Sequence, residues 1–325
     1  MPRAFVTGGT GFVGLNLVRE LAAQGWEVTA CHRAGSNLEF IQRFAPRLVR
    51  ADVVDLPSLV AAIPERVDVV FHLAASINFW GRRNADQARV NVEGTRNVVE
   101  AAIQRKASRF LHLSSLAAWG PGDGDVIDEG VASKAPDHAV HYFRTKWLAE
   151  CEVRAGIQRG LRATLISPSN ILGPYDPNTW SRAFSMLGAG RMPLVPRGSA
   201  PFCHVGAVVR ALLVAVERGG VGEQYCLGGP QTTYAELFGL MSELLGRRPP
   251  RVAPSWLFHV AGAFGDVASQ FTGREPDITG DLARVLTLRF QVRSDKAERE
   301  LGYATPPLRQ MVQDTYDWLR AERLI

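Results

Sequence analysis

Cysteine is scarce and scattered. The four residues Cys31, Cys151, Cys203 and Cys226 form no Cys-x-x-Cys pair, so neither a disulfide framework nor a thiolate metal site is expected. Only seven histidines occur; His138 and His141 stand three apart without an evident third ligand, and no metal site is expected. No uninterrupted apolar run reaches transmembrane length: Arg210 breaks the run from Val205 to Val216, and His259 and Asp266 break that from Trp256 to Phe271. The stretch from Trp256 to Phe264 reads as a buried helix, with attachment to a membrane surface the less favoured alternative. The chain runs straight into an apolar strand, leaving no room for a signal peptide, so a cytoplasmic protein is expected. Blocks of one charge are missing too. The 37 Lys and Arg and 32 Asp and Glu, net +5, are interspersed, and no basic run alternates with aromatics, which argues against a nucleic-acid partner. There is no internal repeat and no low-complexity linker.

What is present begins at Thr7. The run Thr7-Gly8-Gly9-Thr10-Gly11-Phe12-Val13-Gly14 follows the apolar Ala4-Phe5-Val6 and opens a helical pattern from Leu15 to Leu21. A strand, a tight turn and a helix N-terminus leave backbone N–H groups free for an anion, and absent Cβ atoms let a pyrophosphate approach. The turn therefore predicts a dinucleotide site.

The first 170 residues alternate short apolar runs with amphipathic segments. Strands are expected at 4–6, 27–31, 47–49, 67–73, 109–113 and 163–167, and helices near 12–24, 55–62, 86–105 and 138–157. That alternation predicts an α/β fold: a Rossmann-type, doubly wound parallel sheet. After Pro168 the texture changes. Loop-forming runs occupy 173–178 and 193–198, helices are expected at 179–189, 205–218 and 232–245, and a strand at 224–227. Residues 1–170 are read as the dinucleotide-binding domain. Residues 171–325 are read as a smaller, partly interleaved substrate region, with about 200–228 returning to the first domain.

Tyr142 and Lys146 are spaced i, i+4, one turn apart on one helix face. A phenol titrates near pH 10, and a neighbouring ammonium favours its phenolate, so the pair is suited to proton transfer. Ser114-Ser115 closes the strand at 109–113, where a parallel sheet presents active-site groups.

Together these segments resemble an extended short-chain dehydrogenase/reductase over essentially the whole length: TGGTGFVG at 7–14, ADVVD at 51–55, FHLAA at 71–75, NVEGTRNVVEAA at 91–102, HLSSLAAWG at 112–120, YFRTK at 142–146 and SPSNILGP at 167–174. The resemblance implies that Tyr142 is the acid/base, that Ser115 polarises the reacting oxygen, and that Lys146 tunes Tyr142 and binds the nicotinamide ribose. It implies a dinucleotide held by Gly8, Thr10, Gly11, Phe12, Val13 and Gly14. Asp52 and Val53 would meet the adenine, Leu73, Ala74 and Ala75 the adenosine ribose, and Pro168 and Ile171 the nicotinamide. NAD-preferring relatives carry an acid after the second strand; here the sequence reads Val-Thr-Ala-Cys-His-Arg to Arg33. Arg33, aided by Ser36, suits a 2′-phosphate instead, so NADP(H) is expected over NAD(H).

Within the family, Leu116 and Ala117 stand where dehydratases carry Asp and Glu, and Ala200 where epimerases place an arginine. The resemblance is closest to the dihydroflavonol-4-reductase-like and 3β-hydroxysteroid-dehydrogenase-like branch, near bacterial proteins called hopanoid-associated sugar epimerases. The expected activity is reduction of an aldehyde or ketone on a hydrophobic small molecule. A sugar-nucleotide epimerase, or an inactive dinucleotide binder, is the alternative. Trp180, Phe184, Met186, Phe202, Trp256 and Phe258 are candidates for an apolar substrate wall or for core, and the helices at 86–105 and 138–157 suit a homodimer.

Overall fold

Short β-rich runs separated by amphipathic segments build a wound sheet. In the computed structural model, which describes residues 1–176 and 179–325, the first half runs β1 (Arg3–Thr7), α1 (Phe12–Ala23), β2 (Glu27–His32), β3 (Arg47–Arg50), α2 (Leu56–Ala62), β4 (Val69–His72), α3 (Asn84–Ala88), a π-helical turn (Arg89–Glu93), α4 (Gly94–Gln104), β5 (Arg109–Leu113), β6 (Val126–Ile127), α5 (His141–Gln158) and β7 (Ala163–Pro168). The second half continues β8 (Asn170–Leu172), α6 (Trp180–Gly188), β9 (Leu194–Val195), β10 (Ser199–His204), α7 (Val205–Arg218), β11 (Gln224–Leu227), β12 (Gln231–Thr233), α8 (Tyr234–Leu244), β13 (Arg251–Val252), α9 (Ser255–Thr272), α10 (Gly280–Thr287), β14 (Gln291–Val292), α11 (Asp295–Leu301) and α12 (Leu308–Ala321).

Seven strands form one parallel sheet in the order β3-β2-β1-β4-β5-β7-β11. Alternate residues of each strand face opposite layers. Val6, Phe71, Leu111 and Ile166 pack against α1 and α7, whereas Phe5, Val70, Phe110 and Leu165 pack against α2, α4 and α5. Both faces are covered, which is why the strands read as continuous apolar runs rather than alternating ones. Every strand being parallel, all their C-terminal ends lie along one edge, and the loops that follow them meet there. A second core under β8, β10 and β12 is built by α6, α8 and α12 around Phe184, Phe202, Leu237 and Met311.

Several local expectations are corrected. The helix expected at 86–105 is interrupted by the π-helical turn at Arg89–Glu93, because Asn91 is turned inward: its Oδ1 accepts the Ser76 N–H at 2.7 Å and its Nδ2 reaches Thr145 Oγ1 at 3.0 Å. The helix expected from 138 begins at His141, after a 3₁₀ turn at Ala135–Asp137. The loop run at 193–198 contains β9, which pairs in parallel with β13. Of the loop run at 173–178, Pro177 and Asn178 lie outside the described residues. The helix read as buried at Trp256–Phe264 is α9, and it is half exposed: Phe258, Gly262 and Ser269 face inward, but Trp256 is 63% and Phe264 75% exposed. Glycine lets that inner face sit close, since a Cβ at Gly262 would stand 2.7 Å from the Thr279 carbonyl oxygen.

Candidate active site

The first turn after β1 has the shape of an anion cradle. Gly8 takes φ +72°, and a Cβ there would lie 2.6 Å from the Ala74 nitrogen; only glycine lets β1's exit pass so close to β4's. A Cβ at Gly14 would stand 2.0 Å from the Gly8 carbonyl oxygen, so the helix is docked directly on the turn. Gly11 caps α1 without a side-chain hydrogen bond, and no acid sits in the first turn. The N–H groups of α1's first turn, from Phe12, Val13 and Gly14, thus remain open to an anion, with Thr10 beside them. The turn fits a pyrophosphate.

Along the same edge, β2 ends at His32. Arg33 follows, exposed, and Ser36 closes a turn onto the Arg33 carbonyl at 3.3 Å. Asp52 and Val53 follow β3; Asp52 Oδ1 accepts the Val54 N–H at 3.2 Å, and Val53 is buried against Gly94. Leu73, Ala74 and Ala75 leave β4, with exposure rising from buried Leu73 to exposed Ala75. Thr7 links the two exits, because its Oγ1 accepts the Ala74 N–H at 3.3 Å and meets His72 Nδ1 at 2.8 Å. Pro168 ends β7, and Ile171 lies in β8 beside Cys203.

Ser115, Tyr142 and Lys146 are brought together where β5 ends and α5 begins. Ser115 caps the 3₁₀ turn Leu116–Trp119, accepting the Ala117 N–H at 3.2 Å. Lys146 is buried, and its Nζ donates to the Leu113 carbonyl at 3.1 Å. Burial brings this ammonium down to about 8, against the pull of the Glu150 carboxylate. Tyr142 departs from the expectation that a neighbouring ammonium would ease its ionisation. Burial pushes its phenol up to about 12, opposed only by the Ser115 hydroxyl; in this enclosed site the cost of desolvating the phenolate dominates. The phenol stays protonated at neutral pH.

Its surroundings are apolar. The Phe79 ring meets Tyr142 edge-on at 5.6 Å between centroids, and Val285 and Leu288, on and just beyond α10, pack against the same cluster. Beyond Leu288 opens a cavity of about 560 Å³ with a polar rim that includes His138, Arg197, His259 and Arg284. His138 and His141 do not form a metal pair: the His138 ring lies against Phe143, and His141 Nδ1 meets Gln87 Oε1 at 3.0 Å. Trp180, Phe184, Phe202 and Phe258 fill cores away from Tyr142, and Met186 lies on α6.

A buried polar layer behind the trio was not foreseen. Glu150, one further turn along α5, accepts a hydrogen bond from the Ser114 hydroxyl and another from Gln224 Nε2 at 2.7 Å. Gln224 Nε2 also reaches Ser167 Oγ at 2.9 Å, and its Oε1 accepts from Arg154 Nη2. Burial pushes the Glu150 carboxyl up, opposed by Ser114, Arg154, Lys146 and Gln224. Beside this lie His72 and His112, ring centroids 5.3 Å apart and fully enclosed. Burial and then Lys146 hold both imidazoles far below their ordinary range, neutral. The i+8 spacing from Tyr142 through Lys146 to Glu150 was a readable signal for the carboxylate. Phe79 and Gln224 carried none, because each arrives from a distant segment.

Residues 4–228 match the model of the "NAD dependent epimerase/dehydratase family". The chain is similar to "Sterol demethylase protein B" of Methylococcus capsulatus, 30% identical over 98% of this chain and 99% of that one. It is also similar to a "Putative dihydroflavonol 4-reductase" of Synechocystis, 29% identical over 97% and 94%. Among solved structures, "gox2253" is 31% identical with a TM-score of 0.84, covering 99% of each chain.

Proposed function

Because this chain belongs to the NAD-dependent epimerase/dehydratase family, as a nicotinamide-dependent oxidoreductase of the extended short-chain dehydrogenase/reductase type, we propose that it reduces a ketone or aldehyde carbonyl on a hydrophobic small molecule and prefers NADP(H). The observation that carries the reading is the enclosure of Tyr142. Its hydroxyl stands with Ser115 and Lys146 under an apolar cover of Phe79, Val285 and Leu288. Reductase and sterol wording among the relatives points the same way.

A bound nicotinamide supplies the hydride. Tyr142 gives its proton to the carbonyl oxygen, and a phenol that burial keeps protonated is poised for that direction. Ser115 donates to the same oxygen as charge develops. Lys146, fixed by the Leu113 carbonyl one helical turn from Tyr142, would supply a cation to the site and a donor for the ribose. Gly8, Thr10, Gly11, Phe12, Val13 and Gly14 hold the pyrophosphate; Asp52, Val53, Leu73, Ala74 and Ala75 line the adenosine; and Pro168 and Ile171 line the nicotinamide. Arg33, with Ser36, takes the 2′-phosphate, since no acid follows β2. In this reading residues 1–170 handle the cofactor and 171–325 chiefly the substrate, with about 200–228 serving the first part. The protein works as a homodimer through α4 and α5.

The test is turnover of an apolar carbonyl panel with NADPH and with NADH, for the parent and Tyr142→Phe. Loss of the phenolic proton lowers kcat about 10²–10⁴-fold, with dinucleotide binding retained. Full turnover by Tyr142→Phe overturns the assignment. Conversion of a sugar nucleotide without net consumption of NADPH would instead identify an epimerase.

A further inference from the structure

We propose that α9 is an interfacial anchor that seats this protein on an anionic lipid bilayer. The residues Trp256, Val260, Phe264, Val267 and Phe271 are spaced 4, 4, 3 and 4 apart. At about 100° per residue they fall within an arc of roughly 80°. All five are exposed, Phe271 to 85%. The inward residues Phe258, Gly262 and Ser269 centre on the opposite side of the helix, so the stripe is a second apolar face that no described residue covers. Its length, about 22 Å at the helical rise, makes a contiguous patch of the kind monomers seldom leave in water. No helix among the described residues is long and apolar enough to cross a membrane. α9 is therefore built to lie on a bilayer.

Charge selects the occupant. The exposed segment entering α9 carries Arg247, Arg248 and Arg251, and Arg274 follows its end, none in an ion pair among the described residues. Arg82 also joins the C-terminal end, donating to the Gln270 carbonyl at 3.1 Å, with Arg83 beside it. The carboxylates nearby are engaged: Glu275 with Arg83 and Asp277 with Arg182. The helix's one carboxylate, Asp266, is turned inward to accept the Gly280 N–H at 2.9 Å. An apolar stripe with cations at both ends complements an anionic lipid surface, with arginine heads at the phosphates and aromatics below. A second copy is a poorer occupant. Whether paired parallel or antiparallel, two such helices would bring arginine-bearing ends together. α9 packs on α10, and Val285 of α10 covers Tyr142, so the anchor would bring the bilayer near the cover of the active site. The inference stands apart from the assigned reaction.

The experiment is co-sedimentation of the full chain with vesicles of phosphatidylcholine alone and of phosphatidylcholine mixed with phosphatidylglycerol. The parent should bind the mixed vesicles about tenfold or more tightly than the neutral ones, and high salt should remove that difference. Phe264→Asp with Phe271→Asp should cut binding about tenfold or more while the melting temperature and dinucleotide binding hold. Arg247→Glu with Arg248→Glu, which leaves the stripe's own side chains unchanged, should abolish the lipid preference and guards against a misfolded first variant. Failure of the parent to bind either vesicle overturns the proposal, as does parent-like binding by the phenylalanine pair. A parent that is dimeric and binds no vesicle, and becomes monomeric in that pair, assigns the face to a second copy instead.

Discussion

Replacing Lys146 by methionine should change the pH dependence of stability in a calculable way. The side chain is 3% exposed, and burial lowers its pKa from 10.5 to about 8. The unfolded chain therefore binds the proton more tightly than the folded one, and stability rises with pH between those two values. Below pH 8 the folded protein carries a cost of about 3 kcal/mol for keeping the ammonium, from 1.36 kcal/mol per unit. At pH 9.5 the same linkage leaves about 1 kcal/mol. Lys146→Met removes this dependence while keeping a stem of similar length. The difference in unfolding free energy, parent minus variant, should thus rise by about 2 kcal/mol in the parent's favour from pH 7 to pH 9.5. Urea unfolding of both proteins across that range measures it, and the subtraction cancels titrations common to the two. A difference that stays flat would refute the reasoning, because the ammonium would then carry no desolvation cost and the Leu113 carbonyl and Glu150 would fully compensate it.

Two further outcomes follow from the cofactor edge. Gly14→Ala places a methyl group where only 2.0 Å separates it from the Gly8 oxygen; the turn must open, and titration of protein fluorescence with NADPH should show affinity falling about tenfold or more, while a parent-like affinity would contradict the docked turn. Arg33→Ala removes the exposed guanidinium after β2, and the ratio of NADPH to NADH kcat/KM should fall about tenfold, the value of one charge-assisted contact; an unchanged ratio assigns the 2′-phosphate elsewhere.

Much of the sheet was legible because its strands are buried on both faces and punctuated by glycine. The runs at 4–6, 27–31 and 109–113 fall within β1, β2 and β5, and 224–227 coincides with β11. Strand-end placement pointed to Ser114-Ser115 and i, i+4 spacing paired Tyr142 with Lys146, whereas the choice of Ser115 over Ser114 came from the family resemblance. Other features depend on which segment arrives opposite. α9 is apolar on two opposite faces, and periodicity reads such a helix as wholly buried; only the tertiary packing shows that one face has no cover among the described residues. The π-helical turn is set by Asn91 grasping Ser76 and Thr145, partners that local propensity cannot register. The high phenol pKa of Tyr142 likewise follows from Phe79 and the α10 cover.

The place of β11 at the end of the main sheet bears on how the chain is made. On the ribosome, β7 is complete well before Gln224 emerges, and until then its outer edge presents unpaired backbone groups to solvent. Glu150 meanwhile waits without Gln224, a carboxylate facing a half-formed interior. The nascent N-terminal half is thus an open sheet with a sticky margin. A fragment stopped at residue 170 should aggregate or remain with a chaperone rather than fold as a free nucleotide-binding unit.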